Sequence, residues 1–496
     1  MQHLNRLHNL VFWIFLILFL TTSATVLFFT FGYRFSFERG IFVYTGSITI
    51  KANPRSVAIE IDGKSVPSEM IHNINQSYHI TGLPPGEHLL RVKADGFRPW
   101  EKKVRVQSGI STEFWNVLLT RETYDRTVVA TGPFIKAFPS STGRHLALLA
   151  ESDEETTVSI LDRKTGETQQ VFSSRSFLFD HEDQRNIEWS KSEDELLIPV
   201  RAHDDDERTV FLVRLETGAA TDIRDISSMR NPENPRWHPS DDGSFFVISD
   251  GTLSLIRPDA KDIGLRTIPI ATDTAAYDLS SRLIILLARD GSVGRLPVGA
   301  DVGTAPETFA GPIPSASSFR NPFLVAYDER RVAVYDLGGA GYLYNDDGNV
   351  KPAIIPLFPS DMRGIQFSDD GKKLLFRSST EISIAFTRDW DVQPARKSGD
   401  ILQIARFSAS LTDVQWAKDY EHVLLVRSAS IEIAELDNRD RRNIETLIPS
   451  QDGNIRQILP IPADNELLFL ATTDIETADT ALSLVGFPEP VGIFGQ

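Results

Sequence analysis

Residues able to do chemistry are present in this chain, but their spacing matches no familiar catalytic or metal-binding motif. The 496 residues include no cysteine, which excludes disulfides, zinc-thiolate sites, iron-sulfur clusters and thiol nucleophiles. A His-Glu-x-x-His motif, a Gly-x-Ser-x-Gly turn and a phosphate loop ending in Gly-Lys-Ser/Thr are all missing from the sequence. The histidines show no pair at the helical spacing of metal ligands: His3, His8, His72, His79, His88, His145, His181, His203, His238 and His422. We therefore predict no catalytic residue, no metal ligand, no cofactor-binding residue and no cofactor, and we expect that the protein is not an enzyme.

Three further polar features have competing interpretations. With 68 acidic residues, candidate carboxylate pairs for glycoside cleavage always exist, because their separation depends on the tertiary structure. His79 and His88 flank residues 82–86 and are expected to form a surface pair without a third ligand. The Asp-Asp-Gly sequences at 241–243 and 369–371 are explained as turns, since Asp caps its own turn and Gly accepts positive φ. A calcium loop would need oxygen ligands at alternating positions and a closing carboxylate.

An uncharged apolar run of 22 residues extends from Leu10 to Phe31. As a helix it covers roughly 33 Å, enough to cross a hydrocarbon core of about 30 Å. Its hydroxyl side chains can bond to a carbonyl one turn earlier: Thr21, Thr22, Ser23, Thr25 and Thr30. We predict a retained transmembrane anchor rather than a cleaved signal peptide, because the apolar run continues beyond the small residues Ser23 and Ala24. A buried globular helix fits less well, since the segment is apolar on all faces.

The charges that flank this run do not decide its orientation, but large domains are translocated largely regardless of charge. We therefore expect a single-pass cell-membrane protein with its N-terminus inside and its large C-terminal region outside. Aromatic residues after the span are expected to form an interfacial belt or to pack against the first domain: Phe31, Tyr33, Phe35, Phe37, Phe42 and Tyr44.

Net charge is distributed unevenly along the chain. The whole protein carries −17, residues up to Thr120 carry +4, and the remainder therefore carries −21. Because a negative surface repels phosphate backbones, nucleic acid is not expected as a partner. Solubility of the large C-terminal part is the simpler consequence of this charge.

Residues 46–119 alternate between apolar and polar with a period of two, and turn sequences separate the alternating stretches. This pattern predicts a small antiparallel β-sandwich. Several pieces of it resemble the PEGA domain family: Gly46-Ser47-Ile48, Pro54, Ile59-Glu60-Ile61-Asp62-Gly63, Leu83-Pro84-Pro85-Gly86-Glu87-His88, Asp95-Gly96-Phe97 and Trp100. The family's Pro-Glu-Gly-Ala signature is altered here to Pro85-Gly86-Glu87-His88. The resemblance implies a compact sandwich of bacterial envelope proteins, often beside a membrane span, with a binding or spacer role.

Three large aromatic side chains stand out in this small domain. We predict that Phe97, Trp100 and Trp115 fill the core between its sheets, since buried aromatics each cover roughly 150–250 Å². The alternative is a platform on which a carbohydrate stacks.

After Arg126 a weaker unit recurs, in which an aromatic residue precedes a small polar turn and then a strongly apolar strand. The markers are Phe138, Trp189, Trp237, Tyr277, Phe367 and Trp416, with weaker copies near Phe323 and Leu467. Spacings of about 40–50 residues built from strands predict the blades of a propeller, because each unit exposes an apolar face that only its neighbours can cover. Two units, at Phe367–Leu374 and Trp237–Gly243, resemble the Ser-x-Asp-Gly repeat of TolB-like and WD-repeat-like propellers.

The fold class predicted is therefore all-β apart from one N-terminal transmembrane helix: a small antiparallel sandwich is followed by a seven- or eight-bladed β-propeller. Seven blades stay open because the fifth and eighth units are degenerate. The predicted boundaries are 1–45 for the stub, anchor (about 10–32) and linker, 46–120 for the sandwich, 127–487 for the propeller and 488–496 for the tail.

We expect a membrane-anchored cell-envelope protein with a non-catalytic binding or scaffolding role. Its partners would be the membrane and a protein, peptide or cell-wall glycan that binds a propeller face or the channel mouth. Two alternatives remain: a polysaccharide hydrolase or lyase with an acidic channel, and an architectural protein that assembles laterally through sheet edges.

Overall fold

The computed structural model describes residues 2–36, 40–152, 155–181, 186–203, 207–227, 229–258, 265–348, 352–450, 453–473 and 479–488. The predictions made for Phe37 and for the tail from 489 onward lie outside these residues.

The chain begins with one long helix, α1 (Gln2–Thr30). Its part Leu10–Thr30 is 21 residues long, is apolar enough to cross a membrane and is not buried within the protein. The predicted back-bonding is observed at three hydroxyls, which donate to carbonyl oxygens one turn earlier: Thr21 to Ile17 at 2.9 Å, Thr25 to Thr21 at 2.8 Å and Thr30 to Val26 at 2.8 Å. These three hydroxyls therefore need no partner outside the helix.

A two-stranded hairpin of β1 (Tyr33–Ser36) and β2 (Ile41–Tyr44) follows α1 directly. The ring of Phe28 lies 5.3 Å from Tyr33 and 5.5 Å from Phe42, so aromatic contacts hold the hairpin against the end of the helix. Tyr44 lies against Gly109, where an added Cβ would come within 2.6 Å of its ring. The aromatics thus pack against the first domain, while Phe35, Phe42 and Tyr44 also remain exposed.

Two four-stranded sheets form the first domain. One contains β3 (Gly46–Asn53), β6 (Ile71–Ile74), β7 (Ser77–Leu83) and β10 (Ser111–Leu118), in the order β10-β3-β7-β6. The other contains β4 (Ala58–Ile61), β5 (Lys64–Ser65), β8 (Gly86–Lys93) and β9 (Trp100–Val106), in the order β5-β4-β8-β9. A short 3₁₀ turn covers Ser68–Met70. All pairings are antiparallel except β10 with β3, which is parallel and departs from the predicted sandwich.

Trp100 lies in the core between these sheets and Phe97 packs against it, as predicted. The prediction for Trp115 is wrong, because the buried position on β10 belongs to Phe114, which is 3% exposed. A register shift between Phe114 and Val117 interrupts the alternation of β10, so that period-two counting assigns the wrong face. The indole of Trp115 instead faces a groove beside the propeller.

The rest of the described chain builds eight successive antiparallel sheets, seven of four strands and one of five, numbered here as blades 1–8. Blade 1 contains β12 (Phe134–Pro139), β13 (His145–Glu151), β14 (Thr156–Asp162) and β15 (Thr168–Ser174), and blade 2 contains β16 (Phe177–Phe179) with β17 (Glu188–Trp189), β18 (Glu195–Ala202), β19 (Arg208–Arg214) and β20 (Ala219–Asp222). Blade 3 contains β21 (Glu233–Trp237), β22 (Phe245–Ser249), β23 (Thr252–Pro258) and β24 (Leu265–Ala271). Blade 4 contains β25 (Thr274–Leu279), β26 (Leu283–Ala288), β27 (Val293–Pro297) and β28 (Glu307–Ala310). A short helix α2 (Ile223–Ser227) follows β20, and a 3₁₀ turn covers Ala316–Ser318.

Blade 5 contains β29 (Pro322–Asp328), β30 (Arg331–Asp336), β31 (Gly341–Asn345) and β32 (Ala353–Pro356), and blade 6 contains β33 (Gly364–Phe367), β34 (Lys373–Arg377), β35 (Glu381–Phe386) and β36 (Ile401–Arg406). Blade 7 contains β37 (Leu411–Trp416), β38 (His422–Arg427), β39 (Ser430–Glu435) and β40 (Ile444–Ile448). Blade 8 contains β41 (Asn454–Ile461), β42 (Glu466–Thr472), β43 (Thr480–Gly486) and, as the outer strand, β11 (Thr127–Gly132). The weaker repeats near Phe323 and Leu467 thus form four-stranded sheets like the others.

These sheets close into a ring, which makes this part of the chain a β-propeller. The first strand of each blade lies innermost, and first strands of neighbouring blades contact each other, as β25 contacts β29, β37 contacts β41 and β41 contacts β12. Each neighbouring pair of blades shares a buried apolar cluster, and one such cluster joins blade 8 to blade 1. Because β11 precedes blade 1 in sequence but completes blade 8, the two ends of the propeller are tied together by strand pairing.

The recurring aromatic marker connects adjacent blades. At the tryptophan and tyrosine markers the ring lies near the end of an innermost strand, and its polar atom donates to a backbone carbonyl of the preceding blade: Trp189 to Phe138 at 3.1 Å, Trp237 to Glu188 at 3.2 Å, Tyr277 to Asn234 at 2.7 Å and Trp416 to Gln366 at 3.0 Å. The repeat is therefore conspicuous in sequence because packing between blades requires it.

The Ser-x-Asp-Gly turn of blade 6 is also accounted for by local structure. The Asp370 carboxylate accepts from the Ser368 hydroxyl at 2.7 Å and from the Lys372 amide at 3.0 Å. Gly371 has φ +62°, and a Cβ there would meet the Tyr327 ring at 2.4 Å. The turn interpretation of the Asp-Asp-Gly sequence holds here.

Candidate functional site: a distal channel mouth opposite the domain junction

The first domain and the propeller are joined through a buried lysine. The Lys102 side chain is 0% exposed, and its Nζ lies 2.6 Å from Glu435 Oε1. The same ammonium donates to the carbonyl oxygens of Asp437, Arg439 and Arg441 at 3.0, 2.9 and 3.0 Å. Glu435 also accepts from the indole N–H of Trp100 at 3.0 Å. A desolvated charge pair with this many hydrogen bonds fixes one orientation of the two domains.

Propeller side chains also cover the open edge of the first sheet. Gln393 donates to the Ser111 carbonyl at 3.0 Å and accepts from the Glu113 amide at 3.2 Å, while Arg439 donates to the Glu113 carbonyl at 2.7 Å. The Arg439 guanidinium also lies 4.0 Å from the centre of the Phe114 ring. Since β10 is an edge strand, these contacts occupy backbone groups through which another sheet would otherwise pair.

The contacts between domains all fall on one face of the propeller. Gln393 follows the third strand of blade 6, residues 437–443 follow the third strand of blade 7, and 417–421 follow the first strand of blade 7. Loops in these positions lie where the innermost strands end. We call this the proximal face, and we call the opposite one, where the innermost strands begin, the distal face. The first domain contacts the proximal face, and the distal face lies on the other side of the ring.

Along the channel, side chains of innermost strands bond to the backbone of the next innermost strand. Four such bonds connect consecutive blades: Asp278 to the Ala326 amide at 2.9 Å, Gln366 to the Trp416 amide at 3.2 Å, Asp413 to the Ile458 amide at 3.0 Å and Gln457 to the Ala137 amide at 2.8 Å. Two of the channel carboxylates, Asp278 and Asp413, are therefore engaged in holding blades together. The described channel residues carry both signs of charge, so that neither the acidic nor the apolar channel considered from the sequence describes it.

Arg236 of blade 3 forms a satisfied charge cluster in this channel. Its guanidinium contacts the carboxylate of Asp278 on blade 4, and its Nε lies 3.4 Å from Glu188 Oε1 on blade 2. Burial opposes its charge, yet the carboxylates of Asp278 and Glu188 raise the pKa of Arg236 above its usual value. This cluster spans three blades and stabilises the ring.

The mouth of the channel on the distal face is lined at blades 6 and 7 by a different set of charged residues. A cavity of about 310 Å³ is lined there by Arg363, Gln366, Arg377, Asp413 and Gln415, among others. Arg363 is paired with Asp361 at 2.8 Å, and Asp413 accepts backbone hydrogen bonds. Burial lowers the pKa of Arg377 and raises that of Asp413, since both groups are largely withdrawn from water. Among the described residues, Arg377 is the lining arginine that lacks an ion-pair or hydrogen-bond partner.

A second cavity, of about 360 Å³, lies between the two domains on the proximal side. Its lining includes Trp115, Leu118, Lys418 and Phe487. Pro488 is the last described residue and also borders this cavity. The position of Trp115 therefore results from the domain junction rather than from the sandwich core.

The two histidines considered as a pair are not brought together. His79 lies on β7 and contacts the Thr49 hydroxyl at 2.8 Å, whereas His88 lies on β8 in the other sheet and contacts Asp62 at 2.7 Å. Within the described ranges, no three His, Asp or Glu side chains are grouped so as to hold a metal ion. Sequence reasoning missed Lys102 and Arg377, although a lysine at an inward position of Trp100-x-Lys102-x-Val104 was a usable signal.

The class that these observations define is a β-protein with an apolar N-terminal helix, a small sandwich and a propeller. Residues 45–121 match the PEGA domain family, which confirms the resemblance seen in the sequence. No curated protein matches the chain significantly.

Several solved propellers are similar in structure. The β-propeller domain of Cps50 (Swd1) from Myceliophteria thermophila has 12% identity and a TM-score of 0.41, covering 72% of this chain and 99% of that one. The C-terminal WD40 domain of Sif2 has 10% identity and a TM-score of 0.47, covering 74% and 99%. Sqt1 of Saccharomyces cerevisiae has 10% identity and a TM-score of 0.44, covering 73% and 98%. At these scores the likeness carries no argument, and the propeller assignment stands on the order and closure of the sheets.

Proposed function

We propose that this protein is a membrane-anchored, non-catalytic binding protein of the cell envelope. In this proposal α1 is a retained anchor with the N-terminus inside, and the domains at 46–120 and 127–487 lie outside. The PEGA domain holds the propeller in a fixed orientation, and the distal face binds a protein or peptide. The observation that carries the proposal is the buried Lys102–Glu435 junction, which attaches the PEGA domain to the proximal face and leaves the distal face uncovered.

The fixed junction favours a rigid spacer over a flexible tether. The Lys102 side chain of the PEGA domain is fully buried and bonds to a carboxylate and three carbonyls of the propeller, so its charge is compensated only while the two domains stay docked. Loops at the ends of propeller strands are exposed and tolerate variation, which suits them to recognition.

Two features of the described residues support binding over catalysis. The channel carboxylates Asp278 and Asp413 are occupied by backbone amides of the next blade. Asp278 is further neutralised by Arg236. Paired glycosidase carboxylates need to exchange protons with substrate, and these two are engaged in structural bonds.

Site-specific photo-cross-linking in cells tests which face binds. A benzoylphenylalanine at exposed Ser317, in the loop that leads into blade 5 on the distal face, is expected to give a discrete adduct. The matched position is exposed Thr304 on blade 4, in a loop of the proximal face away from the PEGA domain. Equal adducts at both positions, or an adduct at Thr304 alone, would contradict the proposal.

A further inference from the structure

Arg377 stands out from the other cationic side chains of the propeller because of what surrounds it. It is the last residue of β34 and pairs in register with Gly364, the first residue of innermost strand β33. A Cβ at position 364 would lie 3.5 Å from Arg377 Nε, an ordinary contact distance, so the Arg377 side chain runs alongside the start of β33. Two elements of blade 6 therefore place this cation at the distal mouth.

No carboxylate of the described residues forms an ion pair with the Arg377 guanidinium. Arg363 contributes a second positive charge in the same cavity but is itself paired with Asp361. Asp413 also lines the cavity, yet its oxygens accept from the amides of Val414 and Ile458 and from Gln415. No hydrogen bond or ion pair of the Arg377 side chain occurs within the part of the chain that the structure describes. Arg377 is half-buried, and its guanidinium has no acceptor from the described protein residues, so its N–H donors are available to an acceptor that a ligand supplies.

We propose that Arg377 anchors a carboxylate of the peptide ligand at the distal mouth of the channel. This deepens the proposed function, on which it rests, by naming the chemistry recognised at the same face. The planar guanidinium offers two parallel N–H donors that match a carboxylate. The cavity of about 310 Å³ lies at the lower end of the range of ligand pockets, about 300–1,000 Å³. It therefore admits a side chain or a chain terminus.

Charge in the cavity favours a carboxylate over a phosphate. A phosphate monoester carries nearly two negative charges at neutral pH, whereas Arg377 is the single unpaired cation among the described lining residues, because Arg363 is already paired with Asp361. The surrounding region beyond Thr120 carries −21, which disfavours each additional negative charge on a ligand. A singly charged carboxylate meets the guanidinium at lower cost.

The test measures peptide binding by fluorescence anisotropy, with the full chain in detergent micelles. The probes are fluorescein-labelled tetraglutamate with a blocked C-terminus, tetraglutamine with a free C-terminus, and tetraglutamine with a blocked C-terminus. Binding of the first identifies a side-chain carboxylate, and binding of the second identifies a terminal one. Equal binding of the third, which carries no carboxylate, would overturn the proposal.

Three variants separate the anchor from general electrostatics. Arg377→Gln is expected to weaken binding by about tenfold or more, the loss typical of a charge-assisted hydrogen bond. Arg377→Lys keeps the positive charge but lacks the two parallel N–H donors of the guanidinium, so this variant should bind the peptide with intermediate affinity. Arg406→Gln is the matched control, because Arg406 is 75% exposed on the outer strand of the same blade and should leave binding unchanged. Wild-type affinity in Arg377→Gln or Arg377→Lys would refute the anchor.

Melting temperature gives an independent readout. Because Arg377 has no partner to lose, Arg377→Gln is expected to melt at or above the wild-type temperature, whereas a structural arginine would lower it by several degrees. A marked decrease would therefore also overturn the proposal. If the Ser317 adduct persists while Arg377→Gln binds tetraglutamate normally, the carboxylate proposal fails and the distal-face proposal stands. If the Ser317 adduct is also missing, both fail.

Discussion

Replacement of Lys102 by methionine should release the PEGA domain from the propeller. The substitution keeps the length of the side chain but removes the ammonium that contacts Glu435 and three carbonyl oxygens across the junction. We expect both domains to remain folded, because the PEGA core and the blade clusters do not include this residue. The change therefore tests docking rather than folding.

The magnitude follows from what the variant leaves behind. Glu435 would stay 7% exposed while keeping only the Trp100 indole and the Asn443 amide as donors. Removing one member of a buried ion pair typically costs about 3–5 kcal/mol, which includes the uncompensated charge. At about 1.4 kcal/mol per tenfold, this lowers the docking equilibrium constant by roughly two to almost four orders of magnitude.

Spin-label distance measurements report docking directly. The chain has no cysteine, so single cysteines at exposed Ser65 and Gln169 carry labels without further changes. The wild type is expected to give one narrow distance distribution between the domains. Lys102→Met should give a broad one, together with faster protease cleavage in residues 119–126.

Lys93→Met provides the matched control within the same domain. Lys93 is 37% exposed and lies 2.7 Å from Glu60, a surface pair worth about 0–1 kcal/mol. Its distance distribution should equal that of the wild type. A narrow, unshifted distribution for Lys102→Met would refute the rigid-spacer argument, because the junction would then not depend on the buried pair.

Three further outcomes follow from the structure. Trp416→Phe keeps the aromatic packing but leaves the Gln366 carbonyl without its indole donor. We expect this variant to lower the free energy of unfolding, measured by urea titration, by about 1–3 kcal/mol. An unchanged midpoint and slope would show that the aromatic marker acts by packing alone. Burial works against the charge of Glu193, but hydrogen bonds, among them those from Thr142 and His145, outweigh it and lower its pKa from 4.5 to about 2. The stability that Glu193 adds relative to Glu193→Gln should therefore be complete above about pH 4.5 and disappear as pH falls toward about 2, whereas a pH-independent difference in chemical denaturation would contradict this. The full chain should sediment with membranes after alkaline washing and a chain lacking 2–30 should not, and recovery of the full chain in the aqueous fraction would exclude a retained anchor.

Much of the fold was predictable because local chemistry encodes it. The uncharged run of 22 residues predicted the N-terminal helix, which the structure shows over Gln2–Thr30. Alternation and turn sequences identified the PEGA sandwich, and the recurring aromatic marker identified the blades, since its tryptophan and tyrosine members donate to the preceding blade. The prediction for Trp115 failed because it rested on ring size alone, whereas the inward position on β10 before the register shift is taken by Phe114.

Catalytic carboxylates could not be predicted from the sequence, because the distances between carboxylates depend on the tertiary structure. Acidic residues were too numerous to pair by inspection, and only the closed ring shows that Asp278 and Asp413 bond to the next blade. The prediction that His79 and His88 form a pair was wrong for the same reason: the two residues are close in sequence but lie in different sheets.

The sequence by itself determined the elements: an apolar helix, a PEGA sandwich and a set of four-stranded repeats, each specified by contacts between residues close along the chain. Tertiary structure alone decided how they are joined. Lys102 and Glu435 are 333 positions apart, and β11 completes a sheet whose other strands begin more than 300 residues later. No local periodicity encodes such pairings, because they join residues that only the closed ring and the docked PEGA domain bring together. The orientation of the distal mouth, and the placement of Arg377 within it, follow from that closure.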